Sequence, residues 1–388
     1  MTNLIHIILI IMPMIGVLGG LSLAYSIAIF LCLIVIKFRK KLQFRINLPT
    51  AIMLGWFFAS CFWSPDVTSG LKACIPLVIA ISVVSTIIHS LTNDDKKELE
   101  SLLWRPLMIG LFGSVIIFMI EYYTNGLFSM SFRNMQHGKD SVFVLSGLDR
   151  GCVFLSIISW LVIGTLIKHE YKSIPLLIYI IILVMLAMSD SLAGTVAYVL
   201  AGASWAFLYF SKMKLAGVVR ICVAFSILAM PVFSFYQNPH DLSSGNNMPD
   251  SAKHRLFIWN FAAKKAVLQP FLGHGFGSSK HIASKYDVVN YGQYEWNLLP
   301  LHPHNNSLQI LLETGLVGLL LFVLFIDSIL KFAIKNSGNT ALSATVLSCF
   351  ISYFFVSMIS FGMWQTWWIM ASSFAFLYAR IFLIKTNR

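Results

Sequence analysis

"LHPHNNSLQILLETGLVGLLLFVLFIDSIL", residues 301–330, sets two histidines and two asparagines directly against a run apolar enough to enter a lipid bilayer. Bilayer hydrocarbon is about 30 Å thick, so a helix crossing it needs roughly 20 mostly apolar residues. The stretch from Asn306 onward meets that requirement. The fold turns on whether the remainder of the chain supplies comparable segments, and it does. Of 388 residues, 57% are hydrophobic and 11% charged, and mean hydropathy is +0.78, which excludes an ordinary soluble domain.

Twelve segments qualify as spans: 3–18, 20–36, 48–63, 73–91, 106–122, 151–167, 174–189, 192–211, 218–236, 306–330, 340–360 and 366–384. The first two are separated by little more than Gly19 and Gly20. The N-terminus lacks the basic stretch and small-residue cleavage site of a secretory signal, and is expected to be a retained first span. The six cysteines are scattered singly through apolar runs, so neither a disulfide framework nor a zinc site is expected.

A formal charge of +12 points either to nucleic acid or to cations holding cytoplasmic loops, and their location decides. With the N-terminus inside, 18 of the 28 lysines and arginines fall in inner loops and span ends. Of the other ten, nine lie in two long outer segments, about 123–150 and 237–305, among them Arg133 and Lys139. Nucleic-acid binding loses its support. The longer segment is functional by expectation, since long loops without a task are uncommon. Within it, Leu256, Trp259, Ala263 and Val267 share one helical face, as in a helix resting on a membrane surface, and Pro270 should end that helix. A folded cap is expected rather than a tail.

In this layout His302, His304, Asn305 and Asn306 sit at the outer mouth of the tenth span, with 305–307 placed to cap its helix. A helix N-terminus carries free N–H groups and partial positive charge, which favours phosphate. From His304 the sequence reads His-Asn, nine residues, then Gly315-Leu-Val-Gly318. This resembles the signature of the O-antigen ligase family. So does "HRLFIWNFAAKKAVLQPFLGHGFG" (254–277), with an arginine four residues before a tryptophan and a P-x-x-G-x-G-x-G turn. "LDRGCVFLSIISW" (148–160), with an arginine heading a span, and "FASCFWSPDVTSGLK" (58–72) are similar to further family segments. One departure is the turn Ser189-Asp190-Ser191-Leu192, where many members carry a serine-arginine pair.

The resemblance implies an all-α polytopic membrane protein: one integral domain over 1–388, about twelve transmembrane helices, and a large periplasmic loop, 237–305, between the ninth and tenth. It implies an inverting, metal-independent glycosyltransferase without a cofactor in the bacterial inner membrane. The reaction moves O-antigen glycan from undecaprenyl diphosphate to a hydroxyl of lipid A core. Membrane lipids are further partners. Arg150 and Arg255 are the candidates for neutralising the diphosphate leaving group, because arginine binds phosphate oxygens bidentately and keeps its charge. His304 is the candidate general base. Neighbouring arginines would favour its neutral form.

Around these, His302 is expected to orient its neighbour or contact acceptor phosphate, and Asn305 to serve the substrate as well as the helix cap. His254 and Trp259 are further candidate substrate contacts, His254 alternatively attracting lipid headgroups with Lys253, Lys264 and Lys265. Glu313, two turns into the tenth span, should face the protein interior, in structural or catalytic support. Glu121 sits near a span end, within reach of water. Trp364, Trp367 and Trp368, with Trp63 and Trp296, fit an interfacial aromatic belt. His302 and His304 with Asp287 or Glu295 make an alternative zinc set whose geometry nothing fixes. Arg255 could instead pair with Asp250. The rival functions are an O-antigen polymerase or protein oligosaccharyltransferase using the same carrier, and a solute transporter, which would need charges deep in several spans.

Overall fold

Long apolar runs punctuated by Gly, Pro, Asn and Ser fold into helices that end at those residues. A computed structural model describes residues 1–131, 142–244, 248–335 and 339–382. Arg133, Lys139, Lys385 and Arg388, counted among the cations above, lie outside the described residues. The principal helices are α1 (Thr2–Leu18), α2 (Gly20–Phe38), α3 (Leu48–Ser60), α4 (Val67–Ser90), α5 (Asn93–Thr124), α6 (Asp149–Lys168), α7 (Ile174–Met188), α8 (Leu192–Phe210), α9 (Ala216–Tyr236), α10 (Asp250–Ala266), α11 (Asn306–Lys335), α12 (Thr340–Ile359) and α13 (Thr366–Phe382). Among the described residues eight helices are long and apolar enough to cross a membrane: α2, α4, α5, α6, α8, α9, α11 and α12. The chain is thus a multi-pass membrane protein. α1, α3 and α7 are apolar but shorter.

The bundle is built around α6, whose most apolar stretch is 89% buried against 22% for the peripheral α9. α1, α7, α12 and α13 pack on α6. Small residues permit this approach: a Cβ on Gly151 would run into the backbone of Gly16 and Val17 in α1. Buried hydroxyls then tie the helices together, Ser159 to Tyr198 at 3.0 Å and Thr165 to Tyr378 at 2.8 Å. The bundle end that carries the inner cations by sequence is clamped by ion pairs, Lys168–Glu100 and Arg220–Asp327 both at 2.7 Å. Glu121, expected to reach water, is instead fully buried and accepts from the Phe128 and Ser129 amides, closing the turn after α5.

Segment 237–305 is folded, with α10, a two-stranded hairpin pairing Val288–Tyr291 with Tyr294–Asn297, and a glycine turn. The stripe inferred for α10 does not face one surface: Leu256 and Ala263 are buried at 8% and 2% exposure and Val267 is 56% exposed, while Ile258, off that stripe, is 1% exposed in a small core with Ala262, Ala266, Leu299 and Leu312. α10 packs on α9 and α11, so protein rather than a lipid surface covers its apolar side. Residues on and off the proposed stripe are buried together because two neighbouring helices, not one plane, cover the helix.

The glycine turn plugs a break in α11. Gly315 has φ 67 and ψ −172 inside that helix, which frees backbone groups that the turn satisfies. The His274 and Gly275 amides donate to the Leu312 and Glu313 carbonyls at 2.9 and 2.8 Å, and the Leu316 amide donates to the Pro270 carbonyl at 2.8 Å. Gly273, Gly275 and Gly277 all have positive φ, and a Cβ on Gly273 would lie 2.5 Å from the α11 backbone. The two glycine motifs of the sequence are therefore halves of one interlock.

Candidate functional site

Asn305 caps α11. Its Oδ1 accepts from the Leu308 amide at 3.0 Å and its Nδ2 donates to the Met358 carbonyl at 2.7 Å. The residue is fully buried, so its side chain holds the helix rather than facing a ligand. Ser307 donates to the Ile227 carbonyl, and Trp259 Nε1 donates to the Pro303 carbonyl at 3.0 Å. These bonds pin the chain on both sides of His304, which takes the left-handed φ of 54° that few non-glycine residues adopt.

The His304 ring is fixed by one bond, Nδ1 to the Ser360 carbonyl at 2.5 Å. A carbonyl only accepts, so Nδ1 carries a proton, and in the neutral ring Nε2 holds the free lone pair. Burial pushes the His304 pKa below its ordinary 6.5; the Ser360 bond opposes this, and the charges of Arg255 and His254 add to it. His302, its ring centroid 4.2 Å from that of His304, is pushed down to about 3 by burial and by His304. Its Nδ1 faces the His304 amide at 3.2 Å and its Nε2 faces Gln365 Nε2 at 3.1 Å. Gln365 in turn accepts from Trp367 Nε1 at 2.7 Å.

Arg255 stands on α10 within electrostatic reach of His304 and of Asp149. Burial lowers its pKa while the Asp149 charge supports it. Asp250 pairs with Lys253 at 3.4 Å, which leaves Arg255 without a hydrogen bond or ion pair among the described residues. Arg150 follows Asp149 in the first turn of α6. Its stem crosses Gly20, where a Cβ would sit 2.7 Å from Arg150 Cδ and 3.2 Å from the Trp367 ring. One circuit at the loop-bearing end thus links His304, His302, Gln365 and Trp367 by direct contacts, with Arg150 and Trp367 both against Gly20 and with Asp149 and Arg255 within electrostatic reach of each other and Arg255 of His304. Asp190, in the turn that departs from the expected pattern, lies within electrostatic reach of Asp149.

The remaining candidates lie around or behind this circuit. His254 Nε2 bonds the Asn297 carbonyl at 2.8 Å and stacks on Trp296 at 5.0 Å. The Glu313 carboxylate is fully buried beneath the circuit. It accepts from Gly277 N at 2.6 Å, Ser279 Oγ at 2.5 Å, Gln309 Nε2 at 3.0 Å and Trp364 Nε1 at 2.6 Å. Four donors satisfy it, and it locks the glycine turn to α11. The aromatic-belt reading fails for Trp364, Trp367 and Trp368, which are 8%, 4% and 0% exposed; their indoles pack inside the protein, where one supports Glu313. The alternative zinc set does not assemble: Asp287 closes its own turn by accepting from Ser284 N and Oγ, and the described residues hold no group of three or more His, Cys, Asp or Glu suited to a metal.

Gln365, Ser360 and Asp149 escaped the sequence reading, which places Trp367 in an interfacial belt. Gln365 was visible as a lone amide among tryptophans, and Asp149 as the acid beside Arg150. Ser360 acts through its carbonyl, which leaves no side-chain signal.

The sequence profile of O-antigen ligase matches residues 177–323. A Rickettsia felis protein named "Putative polysaccharide ligase" is 32% identical over 397 residues, covering 95% of both chains. A Rickettsia conorii relative of the same designation is 31% identical over 401 residues, again 95% of both. One from Rickettsia bellii is 33% identical over 340 residues, 87% of this chain and 80% of its own. No solved structure matches. With these relatives aligned along nearly its whole length, this chain belongs to the O-antigen ligase family.

Proposed function

We propose that the chain is an inverting glycosyltransferase of the inner membrane that moves an O-antigen-type glycan from undecaprenyl diphosphate to a hydroxyl of lipid A core. In this reading the twelve helices α1–α9 and α11–α13 cross the membrane, α10 and its hairpin cap the periplasmic face, and the circuit around His304 is the active site. The observation that carries the proposal is the His304 ring. Its Nδ1 is tied to Ser360, its neutral form is favoured by burial, and its ring lies in the electrostatic field of Arg255, which has no ion-pair partner among the described residues.

The acceptor hydroxyl gives its proton to His304 Nε2 while its oxygen attacks the anomeric carbon of the glycan. The bond from that carbon to the diphosphate breaks, and the carrier leaves with the electron pair. Attack opposite the leaving group inverts the anomeric centre. Arg255 and Arg150 neutralise the charge growing on the diphosphate, a task suited to their fixed forked donors. Two cationic groups can do this without a metal ion. Asp149 orients Arg255, and Gln365 orients His302 beside the base. His254 and Trp259 border the acceptor side, while Asn305 and Glu313 support the site from behind.

Purified protein incubated with carrier-linked glycan and lipid A core tests this. His304→Ala is expected to lower transfer by at least about 10²-fold with the protein still folded in the membrane. Transfer near the wild-type rate would refute the base assignment. In cells, loss of the protein should leave carrier-linked polymer accumulating; accumulation of single repeat units would favour a polymerase instead.

A further inference from the structure

A cavity of about 390 Å³ runs between α3, α4, α11, α12 and α13, from Met363 to the bundle end opposite His304. Its walls are apolar, with Leu77, Phe322, Ile326 and Phe376 among them, and its mouth carries Arg380, His89 and Asn47. Asn47 and His89 also line an adjoining surface recess with Phe44 and Arg45. The charges of Arg45, Lys96 and Arg380 all reach the His89 ring. Elsewhere at this end cations meet acids: Lys37 with Glu98, Lys168 with Glu100, and Arg220 and Lys331 with Asp327. At the cavity mouth, among the described residues, they do not. Among the described residues the Arg45 guanidinium donates only to Gln43 Oε1 and the His89 carbonyl. Arg380 lies 3.2 Å over the Phe332 ring, and its Nε is buried with no hydrogen-bond partner among the described residues.

An apolar slot crowned by cations without carboxylates is complementary to one chemical class, an anion attached to an alkyl chain. We infer that this cavity binds an anionic phospholipid, one acyl chain between α4, α11 and α13 and the phosphate on Arg380 and Arg45. The cytoplasmic leaflet as its source rests on the orientation proposed above; the binding itself does not. A free phosphate would leave the apolar walls unfilled. A zwitterionic lipid would set its own cation against Arg45 and Arg380.

Native mass spectrometry of the full chain, stripped in detergent and titrated with phosphatidylglycerol, phosphatidylcholine or inorganic phosphate, tests the inference. Phosphatidylglycerol should be retained at one copy, well above phosphatidylcholine, and phosphate should not displace it. Arg380→Gln with Arg45→Gln should weaken retention by about five-fold for each charge removed, roughly twenty-five-fold together. Arg39→Gln with Lys40→Gln, which removes two cations that do not line the cavity, should leave it unchanged. A second variant, Val346→Phe, fills the slot and should expel the lipid while both arginines remain. Equal retention of the two lipids, displacement by phosphate, or equal losses in the two arginine-containing double variants would overturn the inference.

Discussion

Replacing Glu313 by alanine should be the most damaging single change in this protein that touches no proposed reacting group. The substitution strips the acceptor from four donors at once, Gly277 N, Ser279 Oγ, Gln309 Nε2 and Trp364 Nε1, at a fully buried position. A buried donor left unmade costs about 1–3 kcal/mol, so the four together cost roughly 4–12 kcal/mol. Proteins in general hold only about 5–15 kcal/mol of net stability, so little or no folded protein should survive. Glutamine makes a sharper test. Oε2 faces two donors that cannot reverse, Gly277 N and Trp364 Nε1, so the amide nitrogen must take the Oε1 place. There Ser279 can turn its hydroxyl to accept, and only Gln309 is left opposed, a loss of about 1–3 kcal/mol. Glu98→Ala serves as the control, because Glu98 is half exposed in its pair with Lys37, and such a pair is worth at most about 1 kcal/mol. Size-exclusion profiles after heating in detergent would rank the three. Glu313→Ala melting alongside Glu98→Ala would show that the carboxylate does not hold the loop to α11.

Gly315→Ala and Gly292→Ala separate backbone strain from collision. Both positions have positive φ, but a Cβ at 315 strikes the Phe271 carbonyl while one at 292 meets open space. Gly292→Ala should cost only the left-handed penalty, about 1–2 kcal/mol, and Gly315→Ala far more, both read from melting midpoints. For His302 the folded pKa, about 3, lies below its ordinary 6.5. Below 6.5 the unfolded chain takes up a proton that the folded one refuses. Its contribution to stability is therefore complete above 6.5 and is lost as pH falls toward 3, by up to about 1.4 kcal/mol per pH unit. His302→Gln should flatten that decline in melting midpoint between pH 7 and 5. Transfer, which needs neutral His304, should persist as pH falls through 6.5. Because the Arg255 charge helps hold the His304 pKa down, Arg255→Gln should shift the acid limb of the pH profile to higher pH, whatever its effect on rate. An unmoved limb would place the two groups out of electrostatic contact.

The membrane character, the positions of the helices and the existence of a folded cap were legible in the sequence. Lipid imposes a long apolar run on any spanning helix, and polar or helix-breaking residues mark its ends. His304 could be singled out because its spacing to Gly315 and Gly318 is local, and Asn305 because capping is a local geometry. What the residues contact is not local. Trp364 belonged equally well to an interfacial belt or to a buried bond with Glu313 until α13 was set beside α11. The apolar side of α10 was misassigned because a helix packed between two others buries a wider arc than a single stripe shows. The glycine turn and the broken helix at Gly315 are 38 to 42 residues apart at Gly273, Gly275 and Gly277, and each looks like ordinary chain punctuation until backbone groups freed by one are satisfied by the other. The ring of His304 depends on a carbonyl, the stem of Arg150 on the missing Cβ of Gly20, and the charge beside Arg255 on a helix a hundred residues away. Sequence dictated where each helix lies because burial in lipid is a property of a segment; only the packed structure could decide which polar groups meet, because pairing is a property of neighbours brought together across the bundle.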